Sequence, residues 1–100
     1  MKTYARIFPI GQPRLDLWQG QVAWIQERPD KSLRHWRRSL ATAQQLNMLY
    51  EQGLAHWALA RHIPDPHVRQ THLNHALELF TQTQASYDLK LGQEFQSKLV

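Results

Sequence analysis

Two short segments of the chain share one pattern, a glycine, three residues and a tryptophan: GQVAW at 20–24 and GLAHW at 53–57, which lie 33 residues apart. Two longer segments, SLRHWRRSLATAQQL at 32–46 and RQTHLNHALELFTQT at 69–83, match at a shift of 37 residues. We assign the difference of four residues to an insertion in the loop HIPDP at 62–66, because loops tolerate insertions. Such a repeat restricts the chain to folds in which similar units stack on one another.

The repeated segments carry apolar residues at helical spacing. Leu33, Trp36 and Leu40 follow one another at steps of three and four, which places them on one face of an α-helix. No stretch of five residues or more alternates strictly between apolar and polar side chains, so half-buried strands are not predicted. The chain is therefore predicted to be all-α and to consist of antiparallel helical hairpins.

Prolines and turn-forming residues mark the ends of these helices. Pro29 stops one helix and Asp30 is suited to cap the next, while Asp65 and Pro66 repeat this arrangement. Asn47 and Ser86 are suitable turn residues. The predicted helices of this single domain, residues 1–100, lie near 13–28, 31–46, 49–62, 66–84 and 87–98.

Gly20 and Gly53 lie inside predicted helices, where each costs about 1 kcal/mol relative to alanine. A helix accepts that cost where a neighbouring helix must approach closely. Trp24 and Trp57 follow one turn later on the same face. We therefore predict close helix packing at both glycines.

The spacing around Gly20 resembles the tetratricopeptide repeat, a helical hairpin of about 34 residues. Gly20 takes the small position of the first helix. The second helix has the small, aromatic, small and leucine positions at Ser32, Trp36, Ser39 and Leu40. Arg69 stands where the second unit would have a small residue. The resemblance covers residues 12–98 and implies a short right-handed superhelix of stacked hairpins.

The block M-x-Y-E-x-G-x-A at 48–55 is similar to the C-terminal helical-repeat region of bacterial multidomain signalling proteins. Those proteins are ATPases that are often joined to adenylate cyclase or protein kinase modules. Proline usually follows the methionine in that family, and Leu49 replaces it here. The resemblance implies that the chain is a fragment of a cytoplasmic regulatory scaffold, a non-catalytic module for protein–protein interaction.

The first helices of tetratricopeptide-like arrays line a concave groove, and the repeat register places aromatic and polar side chains on it. Tyrosine and tryptophan anchor a bound segment, and arginine or asparagine holds its backbone or carboxylate. The predicted partner-binding residues are Arg14, Gln21, Trp24, Asn47, Tyr50, Leu54, Trp57 and Tyr87. The expected partner is a protein, a peptide or another domain of the parent chain.

The last predicted helix has no hairpin partner. Stacked arrays need about three repeats for stability, so the piece either comes from a longer array or pairs with another copy. Leu91, Phe95 and Leu99 would then form an apolar strip, which predicts self-association into a homodimer.

Composition limits the other functions. The chain has no cysteine, which excludes a disulfide framework and fits a reducing compartment such as the cytoplasm. It has no apolar run long enough for a membrane span. Neither a glycine-rich phosphate loop nor a nucleophile motif occurs, so no catalytic residue and no cofactor is predicted.

Two alternatives involve the basic and histidine residues. His72 and His75 have a metal-ligand spacing and His67 lies about one turn earlier, but no H-E-x-x-H motif occurs, so no metal is predicted. The net charge of +4 permits nucleic-acid binding. This alternative would use the cluster Arg34, Arg37 and Arg38; the spread of the remaining charges favours a protein partner.

Overall fold

A computed structural model describes residues 11–99, and five α-helices occupy most of this part of the chain. They are α1 (Gln12–Ile25), α2 (Pro29–Gln45), α3 (Leu49–His62), α4 (Pro66–Gln82) and α5 (Ser86–Leu99). The all-α prediction is confirmed. The bounds predicted for α3 are those observed, and the other predicted helix ends differ from the observed ones by at most three residues.

The helix bounds repeat every 37 residues. The helices α1, α3 and α5 begin at positions 12, 49 and 86 and contain 14 residues each. The helices α2 and α4 begin at positions 29 and 66 and contain 17 residues each. Every connection has three residues, so the predicted insertion at 62–66 is wrong. Gly20 is the ninth residue of α1 and Gly53 the fifth of α3, and the two glycines do not occupy equivalent positions.

Two backbone conformations close the connections between helices. Glu27, Asn47 and Gln84 have φ angles of 61°, 55° and 57°, left-handed values that cost a non-glycine residue about 1 kcal/mol. The predicted turn at Asn47 is thus confirmed, whereas the one at Ser86 is wrong, because Ser86 is the first residue of α5. Ile63 and Asp65 are extended instead, with ψ angles of 126° and 116°, because each precedes a proline.

We expect Asp65→Ala to lower the free energy of unfolding by about 1 kcal/mol. The Asp65 carboxylate accepts hydrogen bonds from the backbone N–H groups of His67 and Val68, at 2.9 and 3.3 Å, which confirms the predicted cap of α4. Urea denaturation of the variant and of the wild type measures the loss.

Asp30→Ala is the matched control. The prediction that Asp30 caps α2 is wrong, because α2 begins at Pro29, two residues before the start that a cap at Asp30 requires, and has no side-chain cap. Asp30 lies in the first helical turn, where a carboxylate contributes only about 0.5 kcal/mol through the helix dipole. Equal losses in Asp30→Ala and Asp65→Ala would contradict this interpretation.

Each second helix packs between two first helices: α2 contacts α1 and α3, and α4 contacts α3 and α5. Trp36 of α2 lies at the centre of this packing with no exposed surface. Its ring contacts a core cluster that includes Leu59 and Ile63, and its indole N–H donates to the Leu17 carbonyl at 3.2 Å. The helix α1 also contacts α3 directly.

The predicted close approach at the two glycines is confirmed. A Cβ atom on Gly20 would lie 2.6 Å from Cδ1 of Trp36, and one on Gly53 would lie 2.7 Å from Cε1 of Phe80. Both distances are far below van der Waals contact, so each glycine lets an aromatic ring of the second helix reach the backbone of the first. Neither of these rings is the tryptophan that follows the glycine in sequence.

Candidate functional site

Polar contacts join the three first helices near their N-terminal ends. The Arg14 guanidinium of α1 pairs with the Glu51 carboxylate of α3 at 3.3 Å and lies 5.5 Å from the centre of the Tyr50 ring. The Tyr50 hydroxyl donates to the Asp88 carboxylate of α5 at 2.8 Å. Burial, and then this bond to Asp88, raises the pKa of Tyr50. The hydroxyl therefore remains a donor at neutral pH, and the three helices are linked side by side.

A second set of contacts joins α3 and α5 further along. The rings of Trp57 and Phe95 meet edge to face with their centres 5.3 Å apart. The Arg61 guanidinium lies 4.9 Å from the centre of the Trp57 ring, a cation–π distance. Burial lowers the pKa of Arg61, but a guanidinium stays charged in proteins. None of the salt bridges found within residues 11–99 involves Arg61.

A depression of about 300 Å³ opens between α1 and the C-terminal end of α3. Trp24 is 41% exposed beside it, and the ring of Trp24 lies 4.4 Å from that of His62. Trp24 and Ile25 of α1 supply apolar surface, and Arg61 and His62 of α3 supply cationic and polar groups. The residues that line it are Gln21, Trp24, Ile25, Trp36, Arg61 and His62.

His62 provides a hydrogen-bond acceptor in this depression. Its Nδ1 lies 2.8 Å from the carbonyl oxygen of Ala58, and because a carbonyl only accepts, Nδ1 carries the proton. Burial lowers the pKa of His62, so the ring is neutral at pH 7. The other ring nitrogen, Nε2, then has a lone pair that can accept a hydrogen bond.

The structure brings some of the predicted partner-binding residues together and separates others. Gln21 and Trp24 line the depression, and Arg14 and Tyr50 are in contact. Trp57 lies half-buried between Arg61 and Phe95.

The three other predicted residues lie apart from these contacts. Leu54 is half-buried in α3. Tyr87 is 73% exposed on the first turn of α5, and Asn47 is exposed in the connection before α3. Their part in binding stays a prediction.

The residues predicted for self-association are only partly accessible. Leu91 and Phe95 are half-buried, and Phe95 packs on Trp57. The reason is that side chains of α5 contact α3 as well as α4. The side chain of Leu99 lies outside the described part of the chain. The larger exposed apolar surface is on α1, where Trp18 is 62% and Ile25 80% exposed.

Sequence reasoning missed Arg61 and His62 as members of the site. The spacing Trp57–Arg61 was the available signal, because a cation four residues after an aromatic ring on a helix reaches that ring. His62 gives no comparable signal, since its contacts with Trp24 and Trp36 cross between helices.

Three histidines form a separate cluster between α3 and α4. His56 is 7% exposed, and its Nδ1 lies 2.8 Å from Nδ1 of His72. Its ring also stacks on His75, with the centres 4.8 Å apart. Burial, followed by the charges of His72 and His75, lowers the pKa of His56 to about 4. One nitrogen donates and the other accepts in the 2.8 Å contact, so the accepting ring is neutral when it forms.

This cluster differs from the histidine set that the sequence suggests. His72 and His75 belong to it, but His67 is exposed on the first turn of α4 and His56 comes from α3. Within residues 11–99, no three side chains of the metal-binding types are arranged to hold a metal ion.

A buried carboxylate lies between α1 and α2. Asp16 has no exposed surface, accepts a hydrogen bond from the Gln12 amide at 3.0 Å and contacts the His35 ring at 3.2 Å. The Arg38 guanidinium lies 3.7 Å away. Arg38, one of the three clustered arginines of α2, is therefore paired with a buried carboxylate. Arg34 and Arg37 are exposed.

No family model matches this chain, and comparisons with curated proteins and with solved structures also find no match. Among the described helices, none is long and apolar enough to cross a membrane.

Proposed function

We propose that this chain is a non-catalytic helical-repeat module of the tetratricopeptide type that binds a segment of a protein partner along α1, α3 and α5. The 37-residue period of the helix bounds supports a repeat architecture. The depression lined by Trp24 and Arg61 carries the proposal, because it combines an exposed aromatic ring with a cation outside every salt bridge of the described chain. The resemblance to bacterial signalling ATPases and cyclases suggests a regulatory region.

The chemistry of the depression indicates the kind of segment that it binds. Trp24 and Ile25 offer an apolar wall, which fits an aliphatic or aromatic side chain. Arg61 offers a guanidinium, whose two parallel N–H groups fit a carboxylate. The Gln21 amide and the His62 acceptor suit a peptide backbone. We therefore expect a segment in which an apolar residue adjoins an acidic one.

Selection of a displayed library of short random peptides on the purified protein tests this function. We expect the selected peptides to share an apolar residue next to an acidic one. Trp24→Ala and Arg61→Gln should each weaken the binding of a synthetic selected peptide about tenfold or more, because each removes a central anchor. Fluorescence titration measures the dissociation constants.

Arg34→Gln is the matched control for Arg61→Gln, since it removes the same charge from an exposed position on α2. It should leave peptide binding unchanged. Failure to select any peptide, or equal weakening in both arginine variants, would contradict the proposed site.

The exposed arginines of α2 support nucleic-acid binding as a second candidate function. Salt separates the two functions, because phosphate-driven binding falls by orders of magnitude between about 50 and 200 mM salt whereas an apolar groove responds weakly. Titration of a labelled oligonucleotide across this range gives the comparison. Tight, steeply salt-dependent binding that Arg34→Gln reduces would favour the nucleic-acid function.

A further inference from the structure

The 37-residue period identifies one face of α1 that has no preceding second helix among residues 11–99, whereas the equivalent faces of α3 and α5 each have one. Leu15, Trp18 and Val22, together with Ile25, form a stripe at steps of three and four along α1, which we call the α1 outer face. Leu15, Trp18 and Ile25 are 46%, 62% and 80% exposed. Val22 is half-buried.

The equivalent positions of α3 are covered by the preceding second helix, α2. Thirty-seven residues after Trp18 and Val22 stand Ala55 and Leu59, and both are fully buried. Leu59 packs in the core cluster with Trp36 of α2. His62, the equivalent of Ile25, stacks on the same Trp36 ring at 4.6 Å.

The equivalent face of α5 also contacts its preceding second helix, α4, at Gly92. Gly92, thirty-seven residues after Ala55, is buried. A Cβ atom there would lie 2.6 Å from Cδ2 of Leu77. The α1 outer face therefore corresponds to the faces with which α3 packs on α2 and α5 packs on α4. Its side chains are of the kind that a neighbouring helix covers.

The charges around this face suit a second copy of the same chain. The side chains of the α1 outer face, and Gln19 and Gln26 beside it, are all uncharged, although the chain has a net charge of +4. A two-fold contact brings each surface against itself, so a charged face would repel its own copy. An uncharged apolar face does not.

This region also combines an exposed aromatic side chain with a recess. A depression of about 380 Å³ lies beside Trp18, between α1 and the first turns of α2, and Val22, Lys31 and His35 contribute to its walls. Trp18 thus projects next to a recess on the same surface. In a two-fold pair, each Trp18 fills the recess of the other copy and brings its indole ring near the Lys31 ammonium, a favourable cation–π partner.

We propose that the α1 outer faces of two copies pack against each other around a two-fold axis to form a homodimer, with each Trp18 in the α1–α2 recess of its partner. A 14-residue helix is about 21 Å long, and two such faces bury about 1,000 Å² in total, the lower limit for a specific interface. A dissociation constant in the micromolar range, about 1 to 100 µM, is expected.

Sedimentation equilibrium of the full chain from about 1 to 300 µM, a range that brackets this constant, tests the proposal. The expected result is a mass that rises from 11.8 kDa to twice that value and stops there, because a two-fold contact is closed. Trp18→Glu and Ile25→Glu should each weaken the dimer about tenfold or more, since the two-fold contact buries the introduced carboxylate of both copies. Both positions are exposed, so both variants should fold, which circular dichroism checks.

Tyr87→Glu is the matched control, because it places the same charge on an equally exposed aromatic position of α5. It should leave the dissociation constant of the dimer unchanged. A monomer over the whole range, a mass that grows beyond the dimer, or association that Trp18→Glu leaves intact would each overturn the proposal. Trp18→Glu should also still bind the selected peptide, which separates this proposal from the proposed function.

Discussion

Gly20→Ala is expected to lower the free energy of unfolding by about 3 kcal/mol. The added methyl group would lie 2.6 Å from Cδ1 and 2.8 Å from Cε2 of Trp36. That ring has no exposed surface, and its N–H is bonded to the Leu17 carbonyl, so it cannot swing aside without displacing α1 from α2. The better helix propensity of alanine, about 1 kcal/mol, offsets only part of this cost. Urea denaturation measures the difference.

Gly11→Ala is the control, because a Cβ atom on Gly11 has open space around it. We expect a loss of about 1 kcal/mol or less there, because alanine is a poorer N-cap than glycine but meets no neighbouring atom at this position. A second test is rescue. Trp36→Leu should cost less in the Gly20→Ala background than in the wild type, because a smaller side chain leaves room for the methyl group. Wild-type stability in Gly20→Ala would contradict the close approach.

The second large effect is on the pH dependence of stability. We expect the free energy of unfolding to fall by about 3 kcal/mol between pH 7 and about pH 4, because the pKa of His56 is about 4 in the folded chain and 6.5 in the unfolded one. Between these values the unfolded chain binds the extra proton, so acid favours unfolding. His72 contributes in the same direction, since burial and the nearby charges of His75 and Arg37 lower its pKa.

Thermal and urea denaturation of His56→Gln at both pH values checks this prediction. The variant should be less stable than the wild type at pH 7, because the hydrogen bond to His72 is lost, yet its stability should change less on acidification. His67→Gln, the same substitution at an exposed position, should retain the wild-type profile. Identical pH profiles for His56→Gln and the wild type would show that the cluster does not govern the acid response.

The proposed binding surface and the proposed dimer surface meet at Ile25, which belongs to the α1 outer face and also lines the binding depression. Trp24 faces the depression beside His62 of α3, whereas Trp18 lies beside the recess between α1 and α2. Trp18→Glu therefore separates the two proposals, whereas Ile25→Glu is expected to affect both surfaces.

Local sequence chemistry was enough to predict the helices. Apolar spacing around Trp36, the Asp65–Pro66 start of α4 and the turn at Asn47 involve residues within a few positions of one another, and these predictions are confirmed. The close approach at Gly20 and Gly53 was also predictable, because glycine inside a helix is costly unless a neighbour requires it. Asp30 shows the limit, since a shift of two residues separates the predicted cap from the observed first-turn position.

Only the tertiary structure decided which side chains meet across helices. Because all connections have three residues, the helices repeat every 37 residues. The two glycine–tryptophan segments are 33 residues apart, so they occupy different positions along their helices. The ring of Trp36 fills the space at Gly20, and the ring of His62 contacts that of Trp24. Helical periodicity specifies the face of a helix on which a residue lies. The shift of one helix along another depends on how ridges of side chains fit into grooves. That fit placed Arg61 and His62 at the site and left the outer face of α1 without a packed helix among residues 11–99.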